Sequence, residues 1–513
     1  MSLAQAYREV GELTQQIDTI SDALAVHRRA LAMFEGLARE DPADPEVRRD
    51  IGKCWLAVGL LLMRRDGGIT EGIASIDRAR EAFESAAGAR PSDYEARAEL
   101  ARIEAYLSDH YLNQGRLDAA MAISDRACEN WEALLRADPG SERARFGLAT
   151  ALDTRGLILK NLTRNDEALV AYAKARRLAE ELVREVPTDH RYGHELVRTL
   201  GNMGGCLTSV RRFEEAAAVL ARAREVIRTI TEVNPTLLEA QRSLVWIESL
   251  DGSILIRTAR DEEALVVLER VKVGRELLLK ANPTEVRHQQ QLAWTLRTQA
   301  SCHLTLGRPT QARPLSQRAL AILERVAEAN PGRRDAQAGL ADGYCDLGEV
   351  EAANGQPERA RGYFEKALAI RQKRVEADPS DQPSIVLVAD AVRRIGTTLH
   401  AAGRPGEAVA FYRRSIAILE GLKSPRAQDI YDVACCHSLI SGAAAAARSG
   451  LTADEGQAEA ERAVAGIRRA FEAGYGNLVW VRAGDPDLKP IRSRPDFQVL
   501  MMDLSMPAQP FAR

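Results

Sequence analysis

GLILKNLTRNDEALVAYAKARRLAEELVREVP, residues 156–187, and GGCLTSVRRFEEAAAVLARAREVIRTITEVNP, residues 204–235, are two copies of one pattern. Each opens on glycine (Gly156, Gly204) and reaches an alanine twelve residues on (Ala168, Ala216). A second alanine follows seven beyond (Ala175, Ala223), and a proline closes the pattern (Pro187, Pro235). Self-similarity at a fixed period outranks any local signal, because a repeat is one supersecondary unit that buries its apolar face only against its neighbours.

The pattern extends in both directions. Pro42, Pro91, Pro139, Pro187, Pro235, Pro283, Pro331, Pro379 and Pro425 follow one another at gaps of 49, then 48 six times, then 46. Proline stops a helix and turns its predecessor away from helical dihedrals, so these positions punctuate repeats. The alanine series runs Ala120, Ala168, Ala216, Ala264, Ala312, Ala360 and Ala408, each behind a short polar turn such as LTRNDE or AGRPGE. Twelve residues before each alanine lies a small one: Ser108, Gly156, Gly204, Gly252, Ala300, Gly348 and Gly396. Between the markers the period is helical, as in Ala168, Tyr172, Ala175, Leu178, Ala179 and Leu182. Each repeat therefore reads as two antiparallel helices of about 20 residues, about 30 Å long. Glycine in a helix interior costs about 1 kcal/mol against alanine, so the small slot predicts backbones brought to the short end of the interaxial range of about 8 to 10 Å. The fold class predicted is all-α: a solenoid of helix pairs with a 48-residue period. Its repeats fall at about 1–42, 43–91, 92–139, 140–187, 188–235, 236–283, 284–331, 332–379, 380–425 and 426–473, with a capping segment over 474–513.

This arrangement resembles the tetratricopeptide repeat (TPR) family over nearly the whole chain. The family's small residue and two alanines appear as Gly156, Ala168 and Ala175, and again as Gly348, Ala360 and Ala367. Its aromatic or leucine three residues after the small one appears as Tyr111, Leu159, Leu207, Leu255 and Leu399. The period departs from the family's: 48 rather than about 34 residues, about two extra turns in each helix. The resemblance implies a right-handed superhelix whose first helices line a concave groove. It does not extend to the clamp for chaperone C-termini, which uses asparagine just after the small slot, where this chain has Leu157, Gly205, Ser253, Ser301, Glu349 and Thr397.

The C-terminal segment leaves the repeat. Phe497, Leu500, Met501 and Leu504 make one apolar stripe after Pro495 and Asp496, as expected of the lid a solenoid needs over its last repeat. Its wording, Gly474-Tyr475, then DPDLKPIRSRPDF (485–497) and a closing PAQPF (507–511), is similar to the end of the TPR tails of large bacterial serine/threonine protein kinases. The kinase signatures themselves are missing: Gly474 and Gly476 form the only G-x-G, and no D-F-G follows. Residue 1 opens directly inside a first-helix pattern, with Gly11 twelve residues before Ala23. The chain thus reads as a stand-alone repeat protein or as such a tail.

Composition removes other classes. The 70 basic and 73 acidic residues among 513 nearly cancel, with no basic stripe, which argues against nucleic acid as the main partner. The longest apolar run, Trp55 to Met63, falls far short of the roughly 20 residues of a membrane span. The start lacks a secretory h-region, and seven cysteines without a C-x-x-C pair read as free thiols, so the expected compartment is the cytoplasm. No metal or other cofactor is expected: His190 and His194 lack the glutamate of a zinc protease, and Cys435 and Cys436 point about 100° apart on a helix. With no nucleophile elbow or Walker loop either, the chain reads as a non-enzyme.

Binding remains. At 100° per residue, positions −6, −3 and +5 from the small slot share one sector beside the core face. There lie Arg102, Asn113, Asp153, Asn161, Arg198, Trp246, Arg257, Trp294, Arg297, Asp390 and Arg393. Arginines with two tryptophans one repeat apart suit acidic or amphipathic peptide segments. Burial of both tryptophans between repeats is the competing reading. The function expected is a protein-interaction scaffold in bacterial signalling, with protein or peptide partners, or alternatively a kinase's regulatory tail.

Overall fold

The computed structural model describes residues 4–10, 20–42, 44–64, 67–234 and 237–505. Gly11, Pro235, the closing PAQPF and the repeat boundaries at 43 and 235–236 lie outside the described residues. From Pro42 to Pro379 the residue two beyond each repeat proline is the N-cap of a first helix. Asp93 accepts from the Ala96 amide at 3.0 Å, Ser141 from Ala144 at 3.2 Å and Asp189 from Arg191 at 3.0 Å. Such N-caps satisfy donors that the first helical turn leaves open, and place each first helix in the same phase.

The helix pair then closes at a second fixed position. Gly67, Gly115, Gly307, Gly355 and Gly403 all have φ between 71° and 75°, and Thr163, Arg211 and Ala259 occupy the same repeat register with φ of 56° to 64°. The turn demands left-handed backbone there whichever residue supplies it. Glycine adopts it freely, whereas the other three are strained.

Among the described residues no strand occurs, and the chain falls into two compact units, Met1–Thr258 and Ala259–Arg513. The first holds helical residues 4–10 (α1), α2 (Ile20–Glu40), α3 (Pro45–Met63), α4 (Ile69–Ala89), α5 (Tyr94–Asn113), α6 (Leu117–Ala137), α7 (Glu142–Asn161), α8 (Asn165–Glu185), α9 (His190–Ser209), α10 (Phe213–Val233) and α11 (Leu238–Arg257). The second holds α12 (Asp261–Ala281), α13 (Val286–Thr305), α14 (Pro309–Ala329), α15 (Arg334–Ala353), α16 (Pro357–Ala377), α17 (Gln382–Ala401), α18 (Pro405–Glu420), α19 (Ala427–Ala444), α20 (Ala453–Glu472) and α21 (Pro495–Asp503). Within each unit consecutive helices pack side by side as hairpins, α5 on α6 and α15 on α16 for example.

The small slot works differently from the expectation of backbone approach. It receives a large side chain from the facing helix, sixteen residues on. A Cβ at Gly156 would lie 2.6 Å from the Tyr172 ring, at Gly348 2.7 Å from Phe364, at Gly396 2.7 Å from Tyr412, and at Gly204 2.7 Å from Leu220. Where the slot holds Ser108 or Ala300, the residue sixteen on is Ser124 or Ser316, both buried. The pair conserves volume: glycine faces a ring or leucine, and a larger slot residue faces serine. Direct backbone approach is tightest in α3/α4, where a Cβ at Gly59 would meet the Gly72 carbonyl at 2.8 Å, and at the slot Gly396 the Ala408 carbonyl would lie 3.2 Å away.

Repeats are stitched to one another by ion pairs in a fixed register. Arg126 of α6 binds Glu84 of α4 at 2.8 Å, and Arg318 of α14 binds Glu276 of α12 at 2.7 Å, the same positions in two different repeats. At the C-terminus, π-helical Trp480–Gly484 and the 3-10 turn Pro486–Leu488 lead into α21. Phe497, Leu500 and Met501 are buried there with Tyr431, Ile467 and Ala470 of α19 and α20, so the segment covers an apolar face of that hairpin.

Candidate binding cleft

Capping by Asp93, Ser141 and Asp189 sets α5, α7 and α9 in phase, so one face of each contributes to a common cleft of about 730 Å³ in the first unit. Its floor is aromatic. Tyr106 of α5, Phe146 of α7 and Tyr192 of α9 line it, the last two with ring centroids 5.4 Å apart and tilted by 54°. Trp131 of α6 closes the floor from below, and only glycine fits above it: a Cβ at Gly147 would lie 2.3 Å from the indole. Tyr106 is 39 % exposed, so its ring is open to a ligand while its hydroxyl donates to Met63 Sδ at 3.0 Å.

Arginines make the rim. Arg143 of α7 reaches back to Glu95 at 2.7 Å and Glu99 at 2.8 Å on α5, and Glu99 also holds Arg102 at 2.5 Å. Arg191 is held by Asp189 at 2.6 Å, and the Tyr192 hydroxyl donates to Glu142 at 3.1 Å. Deeper in, Arg198 of α9 binds Asp153 of α7 at 3.0 Å and Glu195 at 2.8 Å. Asn202 donates to the same Asp153 carboxylate at 2.9 Å. Asp153 is fully buried, and that burial pushes its carboxyl up to about 6 against the opposing pull of Arg198. Planar guanidiniums pre-set by carboxylates around the open ring of Tyr106 can bind a chain segment carrying an apolar side chain and acceptor groups.

Residues 291–373 match the family model described as tetratricopeptide repeat. The chain carries tetratricopeptide repeats. The crystal structure of the apo form of RapI is similar with a TM-score of 0.51 at 15% identity, over 80% of this chain and 97% of RapI. A STAND protein with a tetratricopeptide repeat sensor from Pyrococcus horikoshii is similar at 15% identity and a TM-score of 0.48. The match covers 83% of this chain and 55% of that protein, so this chain spans about half its length. BtubC from P. vanneervenii is similar at 20% identity and a TM-score of 0.39, over 51% of this chain and 95% of BtubC. No curated protein matches the sequence. The match over residues 291–373 supports a protein–protein interaction scaffold.

In this TPR chain the sector expected to face a ligand is largely taken up by stacking. In three places position −3 of one repeat meets position −6 of the next with a complementary residue. Asp153 meets Arg198, the Trp246 ring lies over Gly201, where a Cβ would be 2.3 Å away, and Arg297 meets Asp342 at 3.9 Å. Of the sequence-derived residues, Arg102 and Arg198 line the cleft. Asn113 and Asn161 are exposed and donate to carbonyls of their own helices, Asp109 at 2.9 Å and Leu157 at 2.8 Å. Trp246 is packed between α9 and α11, and Arg257 is exposed in the last turn of α11. Trp294 is 41 % exposed with the Arg275 guanidinium 5.3 Å from its ring centroid, and it lines a smaller hollow of about 250 Å³ with Arg297, whose main partner is Asp346.

Arg393 is committed to the molecule's own end: it binds Asp390 at 2.8 Å and, from the C-terminal segment, Asp487. Asp390 is half-buried, and its desolvation would raise its carboxyl, but Arg394 and Arg393 outweigh that and hold it at about 2. Beside it Cys435, Asp485 and Asp487 converge. Asp485 already accepts from the Tyr431 hydroxyl at 2.6 Å, Trp480 Nε1 at 3.1 Å, Cys435 Sγ at 3.6 Å and the Asp487 amide at 2.9 Å. Burial drives the Cys435 thiol well up.

The cleft is also lined by residues outside the −6, −3, +5 sector: Tyr106, Arg143, Phe146, Arg191 and Tyr192. A signal was available, since Arg143 and Arg191 hold the same position in successive repeats, on the added turn of their helices. No described helix is long and apolar enough to cross a membrane. The seven cysteines are free and buried.

Proposed function

We propose that the cleft on α5, α7 and α9 binds an extended or helical segment of a partner protein, with an apolar side chain on Tyr106 and Phe146 and carboxylates at Arg143 and Arg191. The observation that carries this reading is exposed Tyr106 beside half-buried Phe146 inside an arginine rim, built from the same face of three successive first helices. Aromatic and arginine side chains in such a place supply most of the energy of a protein interface. The seven buried thiols support a reducing compartment such as the cytoplasm.

The test is affinity capture from the native extract with the full chain and with Tyr106→Ala/Phe146→Ala. Loss of a partner by at least about tenfold in the double variant is expected, and Arg143→Glu should weaken an acidic partner selectively. Equal capture by both proteins removes this cleft as the binding site. A second reading, regulatory tail of a serine/threonine kinase in bacterial signalling, is favoured by the wording of residues 485–497. The intact mass of the native product decides it: a species no larger than this chain excludes that arrangement.

A further inference from the structure

We infer that the second unit holds a site for a cationic side chain, the lysine or arginine of a partner segment, in the cleft of about 510 Å³ that α15, α17 and α19 form with the C-terminal segment. The site is separate from the cleft on α5, α7 and α9 and selects the opposite charge. Four carboxylates line it, Glu349, Asp432, Asp485 and Asp487, against two guanidiniums, Arg393 and Arg394. Both guanidiniums are already matched. Arg393 binds Asp390 at 2.8 Å as well as Asp487, and Arg394 binds Asp390 at 2.7 Å as well as Glu349.

Asp432 is the carboxylate left over. Among the described residues it makes no ion pair, and its side chain accepts only from Gln428 Nε2, at 2.8 Å. Desolvation raises its carboxyl to about 6, outweighing the pull of Gln428 and Arg393, and Asp390 and Asp429 add to the rise. A carboxylate so placed lacks a cation, and a cleft with an excess of negative charge concentrates one. The aromatic wall fits the same ligand. Trp480 is 43 % exposed, and its ring is fixed from two sides: Nε1 donates to Asp485 at 3.1 Å, and the ring leaves no room for a Cβ at Gly484. An indole held open in the same cleft as an unmatched carboxylate suits the alkyl stem and charged head of lysine or arginine. An acidic segment would meet four carboxylates here, and an apolar one would leave Asp432 further desolvated without a cation.

The test follows the Trp480 indole resonance of the full chain by NMR, assigned by its loss in Trp480→Phe, while the blocked tripeptide acetyl-Gly-Arg-Gly-amide is added at neutral pH. A saturable shift of Trp480, and of none of the other four tryptophans, is expected, with the neutral citrulline tripeptide at least about tenfold weaker. Asp432→Asn should weaken the arginine peptide by at least about tenfold. That variant keeps the size of the side chain and removes an unmatched charge, so it keeps the fold, as circular dichroism checks. No shift up to about 10 mM peptide, equal binding of the citrulline peptide, or indifference to Asp432→Asn overturns the inference. So does displacement of the peptide by calcium, which assigns the carboxylates to a metal ion, or tighter binding of agmatine than of the peptide, which assigns the cleft to a free amine.

Discussion

Two glycines of one hairpin should respond to alanine with opposite sign. Gly362 of α16 has no atom within 4 Å of its would-be Cβ, so Gly362→Ala adds only helix propensity and should stabilise by about 1 kcal/mol. Gly348 of α15 gains the same propensity, but its Cβ would sit 2.7, 2.9 and 3.0 Å from three atoms of the Phe364 ring. Ordinary contact begins near 3.4 Å, so the ring must withdraw by several tenths of an ångström in a site where it is 3 % exposed. Overpacking of this kind costs about 1 to 3 kcal/mol, leaving Gly348→Ala destabilising by up to about 2 kcal/mol after the propensity gain. Removing the ring should reverse the sign: in a Phe364→Ala background, Gly348→Ala should stabilise as Gly362→Ala does. The cycle's coupling energy should then be about 1 kcal/mol or more. Urea midpoints, with hydrogen exchange over α15 and α16, read this out; exchange localises the effect, because a repeat array need not unfold in one step. Stabilisation by Gly348→Ala in the wild-type background, or no coupling to Phe364, would refute the volume-pairing argument.

Other outcomes follow from the same geometry. Thr163→Gly and Arg211→Gly should each stabilise by about 1 kcal/mol because both hold φ above 60°, whereas Gly355→Ala at φ 72° should destabilise by a similar amount, measured by thermal melting. Asp390 is held at about 2, below its ordinary 3.8, so its contribution is present above pH 3.8 and lost as pH falls towards 2; carboxyl titration by NMR checks it. Asp153 has the opposite sign: raised to about 6, its contribution is full below 3.8 and lost as pH rises through 6, so mild acid favours the first unit through this group. Arg393→Met leaves Asp487 and Asp390 without their shared cation, and should speed hydrogen exchange across residues 480–503 while α5 to α9 stay unchanged.

Helix content, helix pairing and the period were legible from sequence because each rests on local rules that recur in repeat after repeat. Pro139 and Ser141 mark a helix start, and Gly355 marks a turn, wherever the chain goes next. The TPR assignment needed no more than Gly156, Ala168 and Ala175 and their echoes. What each small slot accommodates was a tertiary matter: Gly156 alone does not reveal that Tyr172 fills the space above it, although the sixteen-residue pairing of Gly with Tyr or Phe and of Ala with Ser was written in the chain. Which residues of the expected sector stay open was a tertiary matter for the same reason. Helical arithmetic identifies which residues share a face, but neighbouring repeats compete for that face. Arg198, Trp246 and Arg297 are claimed by Asp153, Gly201 and Asp346 of adjacent repeats, and Arg393 by the chain's own end. Sequence by itself determined the repeating unit, whose energetics are short-range. Only the stacking of those units decided which arginines and aromatics remain open to a partner, because burial of a side chain depends on residues a whole repeat away along the chain.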